Sequence, residues 1–106
     1  MRRDVFQAIA DPTRRAILDL LAAQPLTLNG VAEHFDISRP AVSKHIKILE
    51  ECGLVTIRKH GRQRYCEAQL HKLTEVSQWI EQYRQTKEQQ FERLDDLLQK
   101  LQEKEK

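Results

Sequence analysis

Few side chains in this sequence are arranged for bond-making chemistry. It has no nucleophile–base pair, no Gly-rich phosphate loop and no acidic pair flanking a pocket-forming segment, so catalysis is not expected. Arg39, Pro40, Ser43, Lys44 and Lys47 suggest a different chemistry. At about 100° per residue they fall on one side of a helix, with Arg39 on the flank, while Val42, Ile46 and Leu49 form a buried stripe. Small residues let such a helix approach closely, cations meet phosphate or guanine, and hydroxyls contact backbone or base edge. That suits the DNA major groove. A solvated amphipathic helix would look the same in isolation, so the surrounding elements must decide.

Those elements favour DNA. Leu28, Val31, Ala32 and Phe35 make a helical stripe that Asp36-Ile37 interrupts. Ser38 can cap a new helix, Pro40 is tolerated in its first turn, and Gly53 can end it in a left-handed conformation. The spacing gives a helix-turn-helix over about 28–52. The period then changes, and Leu54–Arg58 and Arg64–Glu67 read as strands, with Gly61 in the loop between them. Arg58, Lys59, Arg62, Arg64 and His60 lie on or beside that loop. A charged hairpin over about 54–68, next to a helix-turn-helix, reads as a wing. It can lay Lys59, Arg62 and Arg64 along phosphates, or drop Arg62 into a minor groove. The alternative is an edge hairpin kept soluble by its charge.

Upstream, Asp4–Ala10 forms a short helix. Asp11 then caps a second helix that has Pro12 at its first position and runs to about Ala23, burying Ala16, Ile17, Leu20 and Leu21. Arg14 and Arg15 fall in its first turn, where the helix dipole disfavours cations, and are expected to be solvated unless they reach phosphate or a nearby acid. Thr27 caps the third helix. Downstream, one long helix is expected from about Leu70 to Leu101. Leu73, Val76, Ile80, Tyr83, Lys87, Gln90, Leu94, Leu97 and Leu101 occupy heptad-spaced positions, and only Lys87 and Gln90 are polar. Such a seam suits a two-fold copy of the chain, with Trp79 in the core or the interface. Alternatively, 70–83 pack on the domain while 84–106 fray or bind another protein. Glu103–Lys106 are expected to fray. The fold class is mainly α with a small β-hairpin. A winged helix-turn-helix domain occupies 1–69 and a C-terminal dimerisation helix 70–106.

Composition fits this reading. The 106 residues carry a net charge of +2. Residues 1–66 hold 11 Lys and Arg against 7 Asp and Glu, and 39–64 hold 7 against 2, so positive charge gathers at the second helix of the motif and the hairpin. No apolar run reaches membrane-spanning length, and the first residues lack a signal-peptide core. Cys52 and Cys66 make no disulfide framework. A cytoplasmic protein with no membrane partner and no cofactor is expected. Neither cysteine looks activated, His45 is expected at the edge of the buried stripe with a local hydrogen bond, and His34 and His60 have no partner at metal spacing. His71 and Glu75 could hold a metal only weakly.

The runs D-P-T-R-R-A-I-L-D-L-L at 11–21, S-R-P-A-V-S-K-H-I-K-I-L-E-E-C-G-L-V at 38–55 and G-R-Q-R-Y at 61–65 resemble the ArsR/SmtB-type bacterial transcriptional repressors over roughly residues 4–85. The resemblance implies a homodimer on an inverted-repeat operator in double-stranded DNA, commonly repressing its own transcription unit. It also implies an interface built from the first and last helices: Phe6 with Leu73, Val76, Ile80, Tyr83, Leu94, Leu97 and Leu101. Many members sense metals through a box reading roughly L-C-V-C-D-L-A. Here the corresponding run is Leu26-Thr27-Leu28-Asn29-Gly30-Val31-Ala32, without thiolates. No obligatory metal is therefore expected. Two alternatives remain: a metal- or redox-responsive repressor of the same fold, or a protein-interaction module using the long helix.

Overall fold

The first four helices start where a side-chain oxygen takes an otherwise unpaired amide. Asp4 accepts from the Gln7 amide at 2.9 Å and opens α1, Val5–Ile9. Asp11 accepts from the Arg14 amide at 3.0 Å, just ahead of Pro12, and opens α2, Pro12–Ala23. Thr27 accepts from the Gly30 amide at 3.0 Å to open α3, Leu28–Ala32. Ser38 accepts from the Ala41 amide at 3.2 Å to open α4, Arg39–Glu51. The computed structural model describes residues 4–104, apart from the side chains of Gln85 and Lys104.

The end of α4 is equally well defined. Gly53 has φ +81, its amide bonds to the Glu50 carbonyl at 3.0 Å, and the Leu54 amide reaches the Leu49 carbonyl at 3.0 Å. This is a Schellman cap, which satisfies carbonyls that would otherwise be orphaned. The chain leaves it directly into β2, Val55–His60, which pairs antiparallel with β3, Gln63–Ala68. Gly61 and Arg62 make the turn. A positive φ at Gly61 (+64) and at no non-glycine residue described is the signature of a type II′ turn, whose twist matches the flanking strands.

Several elements differ from the sequence expectation. The hairpin loop shrinks from five residues to two because Lys59, His60 and Gln63 join the ladder. A further strand, β1, Leu26–Thr27, adds to the far edge of β3 and gives the order β1-β3-β2. The third helix stops at Ala32, and His34 and Phe35 continue only as single turns. In α2 the buried residues are Ile17, Leu18 and Leu21; Ala16 is exposed and Leu20 half-buried, so the stripe is rotated by one residue. The last helix does not begin at Leu70. A 3₁₀ turn, Leu70–Leu73, precedes α5, Thr74–Lys104. Glu103 and Lys104 are helical rather than frayed, and Glu105 and Lys106 lie outside the described residues.

The described chain forms two compact units that divide after Thr74. In the first, Ile17, Val31, Val42, Leu49, Leu54 and Val55 are almost completely buried. They come from α2, α3, α4, the link that follows α4, and β2, so the core is the surface that fixes α4 against its neighbours. The second unit is α5 itself. Helix-capping side chains, the Schellman turn and this core together hold α4 and the hairpin in one body, and both carry the candidate site.

Candidate nucleic-acid interface

On α4 the exposed side chains are those the helical period assigns. Arg39, Pro40, Ser43, Lys44 and Lys47 are all exposed, while Val42, Ile46 and Leu49 are buried. The hairpin places its own charge by the pleat. Cys66 of β3 is buried, and Arg64, two residues back, shares its face; Ile57 and Lys59 stand opposite them on β2. That face turns toward α4. A groove of about 310 Å³ lies between the two, lined by Ser43, Ile46, Lys47 and Glu50 from the helix and by Ile57, Arg64 and Cys66 from the sheet, with Leu28. Helix and wing therefore meet along one cationic surface.

Not every cation belongs to that surface. Arg58, on the other face of β2, sits 3.4 Å from Glu67. With Lys59, His60, Tyr65 and Pro25 these two line a separate, open concavity of about 600 Å³. Arg14 and Arg15 are occupied as well. The Arg14 guanidinium donates to the Ala8 and Gln7 carbonyls at 2.8 and 2.9 Å, and Arg15 donates to the Ile9 carbonyl at 2.7 Å. Arg14 is thereby half-buried and committed to carbonyls, whereas Arg15 keeps its carbonyl bond at an exposed position. They cap the end of α1, whose dipole favours cations there. By contrast, among the described residues no ion pair holds Arg39, Lys44, Lys47, Lys59, Arg62 or Arg64. Lys59 and Arg64 even face each other across the ladder. Like charges directly opposed destabilise a hairpin unless something anionic lies over them.

A second chemical feature lies behind α4. His45 is half-buried, and its Nδ1 has no hydrogen-bond partner; the nearest charge is the Asp11 carboxylate, 3.9 Å away. The expected local hydrogen bond is absent at that nitrogen. The Asp11 carboxyl is held below the usual carboxylate range, first by the Arg14 amide it caps and further by His45 and Arg14. His34 instead has its Nδ1 2.8 Å from the Gly30 carbonyl.

Residues 11–56, from the cap of α2 to the start of β2, match the family model described as "Bacterial regulatory protein, arsR family". Over 77 residues the chain is 39% identical to the transcriptional repressor SdpR of Bacillus subtilis, covering 73% of this chain and 86% of that one. The chain belongs to the arsR family. Its solved relatives agree in fold. An ArsR family transcriptional regulator, RHA00566, is 40% identical with TM-score 0.68, over 78% of this chain and 86% of that one. An ArsR-like regulator from Rhodococcus sp. RHA1 is 27% identical with TM-score 0.73, over 90% and 87%. These are transcriptional regulators, not enzymes, and they share the winged helix-turn-helix seen here.

The start of α3 presents no thiolate or carboxylate from Thr27 to Gly30. The Thr27 hydroxyl is committed to capping, Asn29 is exposed, and a Cβ at Gly30 would lie 3.3 Å from Thr27 Oγ1. A carboxylate-bearing residue at position 30 would therefore crowd the cap. Among the described residues no three His, Cys, Asp or Glu side chains gather as metal ligands, and no helix is long and apolar enough to cross a membrane. Cys52 and Cys66 are both buried, and burial pushes the Cys66 thiol up, with Glu50 adding to the effect. The sequence signal missed beforehand was that of Arg14 and Arg15. Two arginines just past a short helix can serve the carbonyls behind them.

Proposed function

We propose that this arsR-family chain is a homodimeric, sequence-specific DNA-binding repressor that works without a metal effector. The observation that carries the reading is the groove between α4 and the sheet, where Ser43 and Lys47 converge with Arg64. Arg39, Pro40, Ser43, Lys44 and Lys47 enter the major groove, and Lys59, Arg62 and Arg64 hold the flanking backbone. The repressor named among the relatives supports the regulatory direction. A partner copy is supported by α5, on which Ile80, Tyr83, Leu94, Leu97 and Leu101 are each 50–54% exposed. Two recognition helices about 34 Å apart then meet successive turns of an inverted repeat.

Independence from metal is supported by the donor set. Where thiolates would stand in a metal box there is a capping hydroxyl and an amide, and the Cys66 thiol is buried and kept protonated. The test is selection of bound fragments from genomic DNA, repeated with a panel of divalent metals and with oxidant. Recovery of one inverted repeat under all conditions supports the reading. Release by micromolar metal or by oxidant overturns the effector assignment, and failure to retain any duplex at moderate salt overturns DNA binding itself.

A further inference from the structure

His45 belongs to α4 but not to the side of it that lines the groove. Ser43 and Lys47, which do line it, each stand two residues away, about 200° round the helix. The imidazole lies instead beside the start of α2. Its Nδ1 is buried without a hydrogen bond, and the nearest charge is Asp11 Oδ2 at 3.9 Å, beyond hydrogen-bond length. From this juxtaposition we propose that His45 is a positioning residue for α4: protonated, it closes onto Asp11, ties the helix to the start of α2 and tightens DNA binding as pH falls from about 8 to about 5.5. The inference rests on the DNA-binding reading above and adds its regulation by protons.

Asp11 is the fixed partner. The same Oδ2 accepts from the Arg14 amide at 3.0 Å, and the Asp11 carbonyl accepts from the Arg15 amide at 3.1 Å. Arg14 and Arg15 then fasten this end of α2 to the carbonyls of α1. By contrast, α4 is held through Val42, Ile46 and Leu49, apolar contacts that have no preferred direction. A charge-assisted bond to Asp11 supplies one. The neutral ring leaves a buried nitrogen unsatisfied, which costs stability; in the imidazolium both nitrogens are donors and Nδ1 faces an anion. The Asp11 carboxyl, held low by the Arg14 amide first and by His45 as well, stays ionised throughout that interval. The other charges around α4 are turned elsewhere. On α2 the Arg14 guanidinium lies on α1, α3 carries no charged residue, and Lys44, next to His45, is exposed. On β2, Arg58 faces Glu67, Lys59 stands on the groove side, and His60 is edge-on to Tyr65. Among the described residues no further ion pair reaches His45.

The test is the affinity of the full chain for a duplex recovered in the fragment selection above, at about pH 8 and about pH 5.5. His60→Gln is present throughout, so that the hairpin imidazole does not titrate. Affinity should rise on acidification by about two- to fivefold per copy, at an unchanged slope of log affinity against log salt. His45→Gln and Asp11→Asn should each abolish the rise, with urea midpoints checking that both variants are folded; Asn keeps a capping oxygen at position 11. A rise that survives in Asp11→Asn means that the added cation acts without its partner, and overturns the inference. So does a slope that steepens by about 1 per copy on acidification, the sign of a direct phosphate contact. An affinity indifferent to pH in the His45-bearing chain overturns it as well. In all three outcomes the chain still binds duplex DNA and the proposed function stands, whereas a chain that retains no duplex at either pH overturns both. A second measurement needs no DNA. In a double-mutant cycle of urea stability, the coupling between His45→Gln and Asp11→Asn should be larger at the lower pH, and equal coupling at both overturns the tether.

Discussion

Arg14 shows how a single side chain can be assigned to the wrong chemistry. Its charge invites a phosphate, yet its guanidinium closes the end of α1 through the carbonyls of Gln7 and Ala8. Arg14→Ala should therefore destabilise the fold by about 1–3 kcal/mol, as for lost charged hydrogen bonds to carbonyls, seen as a lower urea midpoint. Against a variant of equal stability, its DNA affinity should be unchanged. Asp11 makes a matching prediction in pH. Its carboxyl is depressed in the folded chain, so it adds stability above the unfolded carboxylate value of about 4 and loses it as pH falls through the lower folded value. Asp11→Asn retains a capping oxygen and cannot titrate. Its stability should be flatter than that of the parent below about pH 4, and an identical acid limb would refute the assignment. Cys66, buried and with its thiol raised, should resist alkylation in the native state and react only on unfolding.

At the scale of elements, local chemistry was legible and distant pairing was not. Asp11, Thr27 and Ser38 announce their helices because a cap is a bond across three residues, and Gly53 announces an end for a similar reason. The strand Leu26–Thr27 could not be read this way, since its register is fixed by Cys66 and Tyr65, nearly forty residues away. The rotated stripe of α2 has the same origin: what α2 packs against, β3 and α4, decides which leucine turns inward. The cationic face of α4 was fully legible from its period, whereas the sorting of Arg58 from Arg64 needed the ladder register. Gly61 tests how the wing is held. A Cβ there meets nothing within 4 Å, so only the backbone at φ +64 resists substitution. Gly61→Ala should cost about 1–2 kcal/mol and speed amide exchange in β2 and β3. It should also weaken DNA binding while leaving α4 protected, and an unaltered hairpin would contradict the type II′ assignment.

At the scale of the whole molecule, charge and symmetry meet in the salt dependence of DNA binding. Each phosphate contact contributes about 0.9 to the slope of log affinity against log salt. A substitution in a two-fold dimer removes its contact twice. Lys47 is exposed, held in no ion pair among the described residues, and lines the groove it shares with Arg64. If it touches phosphate, Lys47→Ala should lower the slope by about 2 on a full inverted repeat and by about 1 on a single half-site. Lys59→Ala should behave alike from the hairpin. Ser43→Ala carries no charge and should leave the slope intact while relaxing base preference if its hydroxyl reads a base edge. Equal slope changes on half-site and full-site duplexes would mean that the two copies do not bind together. The salt series thus counts phosphate contacts and bound copies in one titration, independently of any measurement of α5.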